Sequence, residues 1–471
     1  MKAMMLKHTL IAATCVAAFS PVHAAGEAKN VIFFLGDGMG PATVTAARIY
    51  KYGEAGSLSM EKLDRTARVK TYSNDAQTTD SAPSMAAYMT GVKMNNEVIS
   101  MSPDTRATDP ATGKSYLNGT DSTCPASNGK AVDTMLEIAK GKGKAVGAIT
   151  TTRITHATPA ATYSHVCHRD AENTIAAQAV PGGAGYNAKL GTGLDVLMGG
   201  GSRFFLPTTV TGGKRTDGRN LINEMKAQGY TYASTGAELK AIDGKATSKL
   251  FALFTNDHMD YELDRVKKSL DQPSLTDMTL KSIDVLGKNA NGFFLMVEGG
   301  RIDHALHATN AKRALEDAVA FDNAIQAALT EMEKRDPGLK NTLIVVTADH
   351  DHTMTINGYG KKGSNILGTV KNYKDGTELK DADGNNYTAL VFGNGPNRPA
   401  TRKMLVEGTT DATQVLHDDY LQESALRMGS ESHGGGDVML FATGAGVASK
   451  TFKGVIDNTK VFNLIKQAYG F

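Results

Sequence analysis

The chain has 471 residues, 41% of them hydrophobic and 21% charged, a balance that excludes a disordered chain or a coiled coil. Trp is absent and aromatics make up 6%, against 49 glycines, which argues for a loop-rich α/β protein over an aromatic-lined carbohydrate or base-stacking binder. Lys and Arg number 51 and Asp and Glu 49.

The first 24 residues read as a secretory signal. Lys2 and Lys7 precede an apolar run from Leu10 to Phe19, and Val22-His23-Ala24 forms a small-residue cleavage site. That run is shorter than the roughly 20 residues needed to span a bilayer, so no membrane anchor is expected. Loss of two Lys from the 51 basic residues leaves 49 against 49 acidic ones. No electrostatic footprint for nucleic acid or an anionic membrane remains. The sequence predicts export to the periplasm or beyond, with residues 25–471 as a single domain. Cys15 leaves with the signal. Cys124 and Cys167 remain, and an exported protein can join them, although sequence alone does not bring their Cα atoms together.

Along the chain, apolar runs end repeatedly in small or acidic residues. Asn30–Leu35 leads into Gly-Asp-Gly-Met-Gly, Val146–Ile149 into Thr150-Thr151-Thr152-Arg153, and Leu194–Met198 into three glycines. Phe293–Val297 meets Glu298-Gly299-Gly300, Leu343–Val346 meets Thr347-Ala348-Asp349-His350, and Val438–Phe441 follows a Ser-His-Gly-Gly-Gly loop. Runs that are hydrophobic throughout suit strands covered on both faces. Helical patterns lie between them, including Ala131–Lys140 and a long stretch from about Ile302 to Lys334. The alternation predicts an α/β fold: a three-layer sandwich around a central, mostly parallel sheet, with ligands outside the carboxyl ends of its strands. Ser100–Lys130 reads as a long surface loop. Thr355–Ser430 contains one strand-like run, Thr388–Phe392, and reads as an inserted small subdomain.

Metal-ligand residue types gather at the strand ends. Asp303 and His307 are four apart in a helical pattern and project from one face, offering an oxygen and a nitrogen to a compact cation. Glu298 lies five residues earlier, Asp349-His350 and Asp37 follow other strands, and His433 sits in a Gly-rich turn. Each alone is compatible with a buried acid or a helix cap; their recurrence at successive strand ends is not. Ser81, in Thr-Thr-Asp-Ser-Ala-Pro-Ser-Met, is either a plain N-cap or a nucleophile. Both readings place its hydroxyl at a helix N-terminus, which favours negative charge.

Six motifs, in order, resemble those of the alkaline phosphatases: GDGMG at Gly36–Gly40, TDSA at Thr79–Ala82, TTTRITHATPAATYSHVCHR at Thr150–Arg169, VEGGRIDHALH at Val297–His307, TADHDH at Thr347–His352 and ESHGGGDV at Glu431–Val438. Tyr359–Gly368 and Val391–Pro396 resemble the animal-type branch and its marine bacterial relatives more than the enteric bacterial one. The resemblance implies a homodimer with a crown-like insertion that hydrolyses a broad range of phosphate monoesters through a phosphoserine. It implies one zinc on Asp303, His307 and His433, a second on Asp37, Asp349 and His350, and a magnesium on Asp37, Thr158 and Glu298. It makes Ser81 the nucleophile and Arg169, oriented by Asp80, the bidentate grip on phosphate. His156 and His304 stand where enteric enzymes carry Asp and Lys, implying a His/His pair near the magnesium, with His156 in its second shell or ligating directly. Phe254 and Asp271 match a calcium site of animal members, but Thr255 replaces a carboxylate there, so no fourth metal is expected. His165, His168 and His352 are expected to be structural.

Two other classes meet part of this pattern. A sulfatase-like run would accept Ser81-Ala82-Pro83-Ser84, but Met85 stands where Arg is required, and Thr158 and Glu298 would be unexplained. A zinc-storage or periplasmic binding protein would need the ligands but neither Ser81 nor Arg169.

Overall fold

The strands that read as continuous apolar runs are buried side by side. In the computed structural model, which describes residues 28–447 and 452–471, ten strands form one sheet. In chain order they are β1 (Asn30–Gly36), β2 (Arg65–Lys70), β3 (Ala145–Arg153), β4 (Val196–Gly200), β5 (Thr231–Ala233), β6 (Leu250–Leu253), β7 (Phe293–Gly299), β8 (Thr342–Ala348), β9 (Val438–Gly444) and β10 (Gly454–Asp457). Their order across the sheet is β10-β2-β9-β8-β1-β7-β3-β4-β6-β5, and only β9 runs against the rest. The expected mostly parallel α/β sheet flanked by helices is thus present. The signal segment expected at Met1–Ala24 lies outside the described residues.

Register explains why the strand ends matter. Gly36 at the end of β1 lies beside Ala348 of β8 and Gly299 of β7, and Glu298 lies beside Thr150 of β3. Asp37, Glu298, Asp349 and the threonines of β3 therefore leave four adjacent strands at one edge, outside their carboxyl ends, as open α/β sheets place their sites. Val31–Leu35 are fully buried, and Phe34 meets Phe321 of the helix Ala311–Arg335 edge-on at 5.9 Å.

The structure departs from the expected elements in three places. The helical stretch from about Ile302 is two helices, Arg301–His307 and Ala311–Arg335, broken where Thr309 adopts φ +57° and Asn310 caps the second by accepting the Arg313 N–H. Ser100–Lys130 is mostly loop with a two-residue hairpin, Leu117–Asn118 with Asp121–Ser122. The strand expected at Thr388–Phe392 spans Leu390–Gly395, the middle of a three-stranded sheet with Met354–Ile356 and Ser424–Arg427. Residues 355–430 contribute nothing to the ten-stranded sheet. Cys124 and Cys167 form a disulfide, with Cα atoms 6.2 Å apart.

Candidate active site

Asp80, not Ser81, caps the helix Ser81–Thr90: its Oδ1 accepts the Ala82 N–H at 2.7 Å. Ser81 is the first helical residue, and its hydroxyl is free to face the strand ends. There Ser81 Oγ lies 3.3 Å from His350 Nε2 and 3.4 Å from Asp37 Oδ1. The helix is buried along its whole length and tied to β8. Tyr88 Oη donates to the Ala348 carbonyl at 2.8 Å and Ser84 Oγ to the Asp349 carbonyl at 2.7 Å. The nucleophile candidate is thus held by the same strand that delivers Asp349 and His350.

Three imidazoles are oriented alike. His307, His350 and His433 each turn Nδ1 to a backbone carbonyl, of Glu431 at 2.6 Å, Asp351 at 3.2 Å and Thr79 at 2.8 Å. A carbonyl can only accept, so Nδ1 carries the proton and Nε2 is left as a lone-pair donor, the arrangement that metal-binding histidines use. All three Nε2 atoms point at carboxylates. His307 and His433 lie 3.3 and 3.6 Å from Asp303 Oδ1 and 3.1 Å from each other. His350 lies 3.3 Å from Asp37 Oδ1 and 3.4 Å from Asp349 Oδ2.

The sequence-predicted acids converge here, and they are starved of partners. Asp37, Glu298, Asp303 and Asp349 are all at most 4% exposed. Asp37 Oδ2, Asp349 Oδ2, Glu298 Oε1, Thr158 Oγ1 and His156 Nδ1 are buried without any hydrogen-bond partner. Buried polar atoms normally have one, and buried carboxylates normally meet a cation. Burial, reinforced by Asp349, Asp303 and Glu298, raises Asp37 well above the carboxylate range, and burial pushes Glu298 up to about 7. The donor chemistry suits divalent ions: nitrogen and carboxylate around Asp303, and hard oxygens around Glu298, whose Oε2 also accepts from Thr150 and, at 3.1 Å, from Thr152. Gly38 makes the close approach possible. It sits at φ +65°, and a Cβ there would lie 2.4 Å from His352 Nε2.

Arg169 reaches the cluster from the segment that follows the helix Ala157–Tyr163. Its Nη1 donates to Asp80 Oδ1 at 3.0 Å, and its Nη2 lies 3.1 Å from His156 Nε2. The histidines expected to be structural have both ring nitrogens engaged. His165 bridges the Ser100 carbonyl and Glu137, and His168 meets Glu97 and the Asp170 N–H. His352 spans Asp303 and Glu431. Thr255 Oγ1 donates to the Asp257 carbonyl within its own loop, and Asp271 accepts the Ala237 N–H at the start of the helix Gly236–Ala241.

Sequence reasoning missed three residues. Glu431 lies inside a quoted motif, yet only the fold shows that it takes His352 Nδ1 at 2.5 Å. Glu97 meets both Asp80 and Arg169, and no motif marks it. His258 packs against His304 and His156, with ring centroids 4.3 and 5.2 Å away, from a loop without a motif. The three rings face arginines: His156 Nε2 faces Arg169, His304 Nδ1 lies 2.7 Å from Arg301, and His258 Nδ1 accepts the Arg153 N–H at 3.2 Å. A guanidinium can only donate, so the lone pairs of His156 and His304 are taken up and their other nitrogens carry protons. His258 meets Arg153 through both ring nitrogens, the backbone N–H at Nδ1 and the guanidinium at Nε2, and the three rings bring one ligand nitrogen each within 4.8 Å of the others.

Acids and imidazoles gathered at the strand ends of an α/β sheet, with partnerless oxygens between them, mark the site as a candidate metal centre of an α/β enzyme. The family model for alkaline phosphatase matches residues 28–471. The tissue-nonspecific isozyme of alkaline phosphatase from Rattus norvegicus is 38% identical over 450 residues, covering 88% of this chain and 79% of that protein. Alkaline phosphatase from Gadus morhua is 37% identical over 448 residues, covering 89% and 87%. The crystal structure of Thermus thermophilus alkaline phosphatase aligns with a TM-score of 0.67 at 26% identity, covering 95% of this chain and 92% of that one. The chain belongs to the alkaline phosphatase family, whose members are metal-dependent phosphoric monoester hydrolases.

Proposed function

We propose that the chain hydrolyses a broad range of phosphate monoesters through a phosphoserine on Ser81, with two zinc ions and one magnesium ion. The observation that carries this reading is the shared orientation of His307, His350 and His433, whose Nε2 atoms point at the buried carboxylates beside Ser81 Oγ. Asp303, His307 and His433 would hold the first zinc, Asp37, Asp349 and His350 the second, and Asp37, Thr158 and Glu298 the magnesium. When bound, these ions would offset the charge of the four buried acids, acidify the Ser81 hydroxyl and the attacking water, and stabilise the entering and departing oxygens.

The chain's own residues do the rest. Arg169, held by Asp80, grips two phosphate oxygens and aligns the phosphorus with Ser81 Oγ. The helix N-terminus at Ser81 adds positive potential where negative charge accumulates. The Ser81 Oγ–phosphorus bond forms as the alcohol leaves, and water then cleaves it to free phosphate. His156 turns Nε2 to Arg169, leaves Nδ1 buried without a partner and stands beside Asp37 and Glu298, which suits a second-shell donor at the magnesium. The protein would act as an exported, periplasmic or secreted, homodimer. Among the described residues no helix is long and apolar enough to cross a membrane.

The test is hydrolysis of a chromogenic phosphate monoester at alkaline pH, beside the matching diester and sulfate, before chelation, after chelation and after zinc and magnesium are restored. Fast monoester turnover that needs both metals, and is lost in Ser81→Ala while metal content is retained, is the expected result. Retained turnover in Ser81→Ala, or a dominant diester or sulfate rate, overturns the reading.

A further inference from the structure

Glu97 has a backbone φ of +70°, a conformation open to glycine and strained for a residue with a Cβ. Such strain persists only where the surroundings over-determine it. At Glu97 three contacts do so, and all lead to the phosphate-gripping arginine. Its N–H donates to Asp80 Oδ2. Its carbonyl accepts the Arg169 N–H at 2.8 Å. Its carboxylate lies 3.1 Å from Nε2 of His168, the residue before Arg169. Two residues on, Ile99 and Val166 exchange backbone hydrogen bonds of 2.9 and 3.1 Å, so the two segments run as a short antiparallel pair. The disulfide at Cys167 fixes the same segment.

The consequence falls on both ends of the Asp80–Arg169 pair. With Oδ2 held by Glu97, Asp80 turns Oδ1 to the Ala82 N–H at 2.7 Å and to Arg169 Nη1 at 3.0 Å. One carboxylate oxygen thus sets the start of the Ser81 helix and the direction of the guanidinium together. At φ below zero the Glu97 N–H and carbonyl would point elsewhere, and both anchors would be released. The Glu97 side chain is 46% exposed, so it fills no core space; its carboxylate pairs with His168 and lies within the field of the Arg169 guanidinium.

We propose that Glu97 is a positioning residue for Arg169: its left-handed backbone aims Asp80 and the Arg169 main chain, and its carboxylate, paired with His168, holds that backbone against its own strain. The proposal rests on the reading of Arg169 as the phosphate grip.

The test compares Glu97→Ala, Glu97→Gly and Glu97→Gln in the metal-loaded enzyme, reading the inhibition constant of inorganic phosphate, KM, kcat and Tm. Ala keeps the strain and loses the carboxylate. It should weaken phosphate inhibition roughly tenfold and raise KM alongside, with a smaller change in kcat. Gly accepts φ +70° freely and should stay within about threefold of wild type, while Gln, which keeps a hydrogen bond to His168, should fall between. Ala and Gly weakening phosphate alike, or Ala changing Tm without changing phosphate inhibition, overturns the proposal. Arg169→Ala separates the two readings. If it leaves phosphate inhibition intact, the reading of Arg169 falls; if it abolishes inhibition while Glu97→Ala does not, only the positioning role falls. On the Arg169→Ala background, Glu97→Ala should add nothing, and an additive loss would overturn the proposal.

Discussion

His352 Nε2 lies 2.8 Å from Asp303 Oδ1, while its Nδ1 reaches Glu431 Oε2 at 2.5 Å. Burial alone would discharge this imidazole, but the hydrogen bonds to Asp303 and Glu431 overcome it and hold the pKa up at about 10. A charged His352 donates through both nitrogens and can ligate nothing. It pins the one carboxylate that His307 and His433 also face. Replacing it with Leu should leave a folded protein whose first zinc dissociates roughly 10- to 100-fold more readily, the usual effect of losing an outer-shell partner. Competition with a chelator of known affinity measures this, and an unchanged zinc affinity would show that Asp303 needs no such support.

Without divalent ions, Asp37, Glu298, Asp303 and Asp349 face one another in a buried pocket. Burial first, then neighbouring carboxylates, raises Asp37 well above its ordinary range, and burial raises Glu298 to about 7. An acid whose pKa is raised on folding binds its proton more tightly in the folded state. Its contribution to stability is full below the unfolded value of about 4 and is lost as pH climbs through the folded one. The chelated protein should therefore melt at a lower temperature at about pH 9 than at about pH 6. Zinc and magnesium should shrink the difference to the part due to groups outside the site such as Asp317, which burial raises to about 8, and Glu298→Gln should flatten part of the slope in the chelated protein. A chelated Tm that rises over that window would contradict the sign.

The parts of this molecule legible in the sequence are those where one physical cause dominates. Strands such as Asn30–Gly36 and Thr342–Ala348 are buried on both faces and read as unbroken apolar runs. Arg65–Lys70 escaped because it lies between β9 and the edge strand β10, burying only Ala67 and Val69, so half of its residues are charged. The break at Thr309 escaped because Ala308-Thr309-Asn310 carries neither Gly nor Pro, and only the fold shows Asn310 capping the next helix. Within the site, residues that would touch metal or phosphate sit in recognisable motifs. Residues packed behind them, Glu97 against Asp80 and Arg169 and His258 against His156 and His304, make their contacts between segments apart in sequence, for which a single sequence has no pattern.

The Cys124–Cys167 disulfide closes a separation of 43 residues and ends two positions before Arg169. In the chain-entropy picture a loop of this length contributes about 4 kcal/mol through the unfolded state. Replacing both cysteines with Ser should lower Tm by several degrees. Because Glu97 and the Ile99–Val166 pair still hold the segment, phosphate inhibition at a temperature well below melting should change by less than about twofold. A large loss of phosphate affinity in the folded variant would mean that the disulfide, and not the backbone pairing, sets Arg169.

His156 offers a sharper test of the third cation. Its Nδ1 is buried without a partner, and the residue stands with Asp37 and Glu298, one ligand atom from each lying within 4.8 Å of the others. Replacing it with Asp adds a hard oxygen to an oxygen set, which favours Mg²⁺, and puts a carboxylate beside Arg169 in place of a neutral ring. Magnesium titration of the zinc-loaded enzyme, followed by calorimetry, should show binding roughly tenfold tighter than wild type. Phosphate should bind less well, because Arg169 would then be shared between two carboxylates, Asp80 and the introduced one. The two effects separate cleanly. Tighter magnesium with unchanged phosphate inhibition would mean that Arg169 turns away from position 156 when phosphate arrives. Unchanged magnesium affinity would remove His156 from the border of that site altogether.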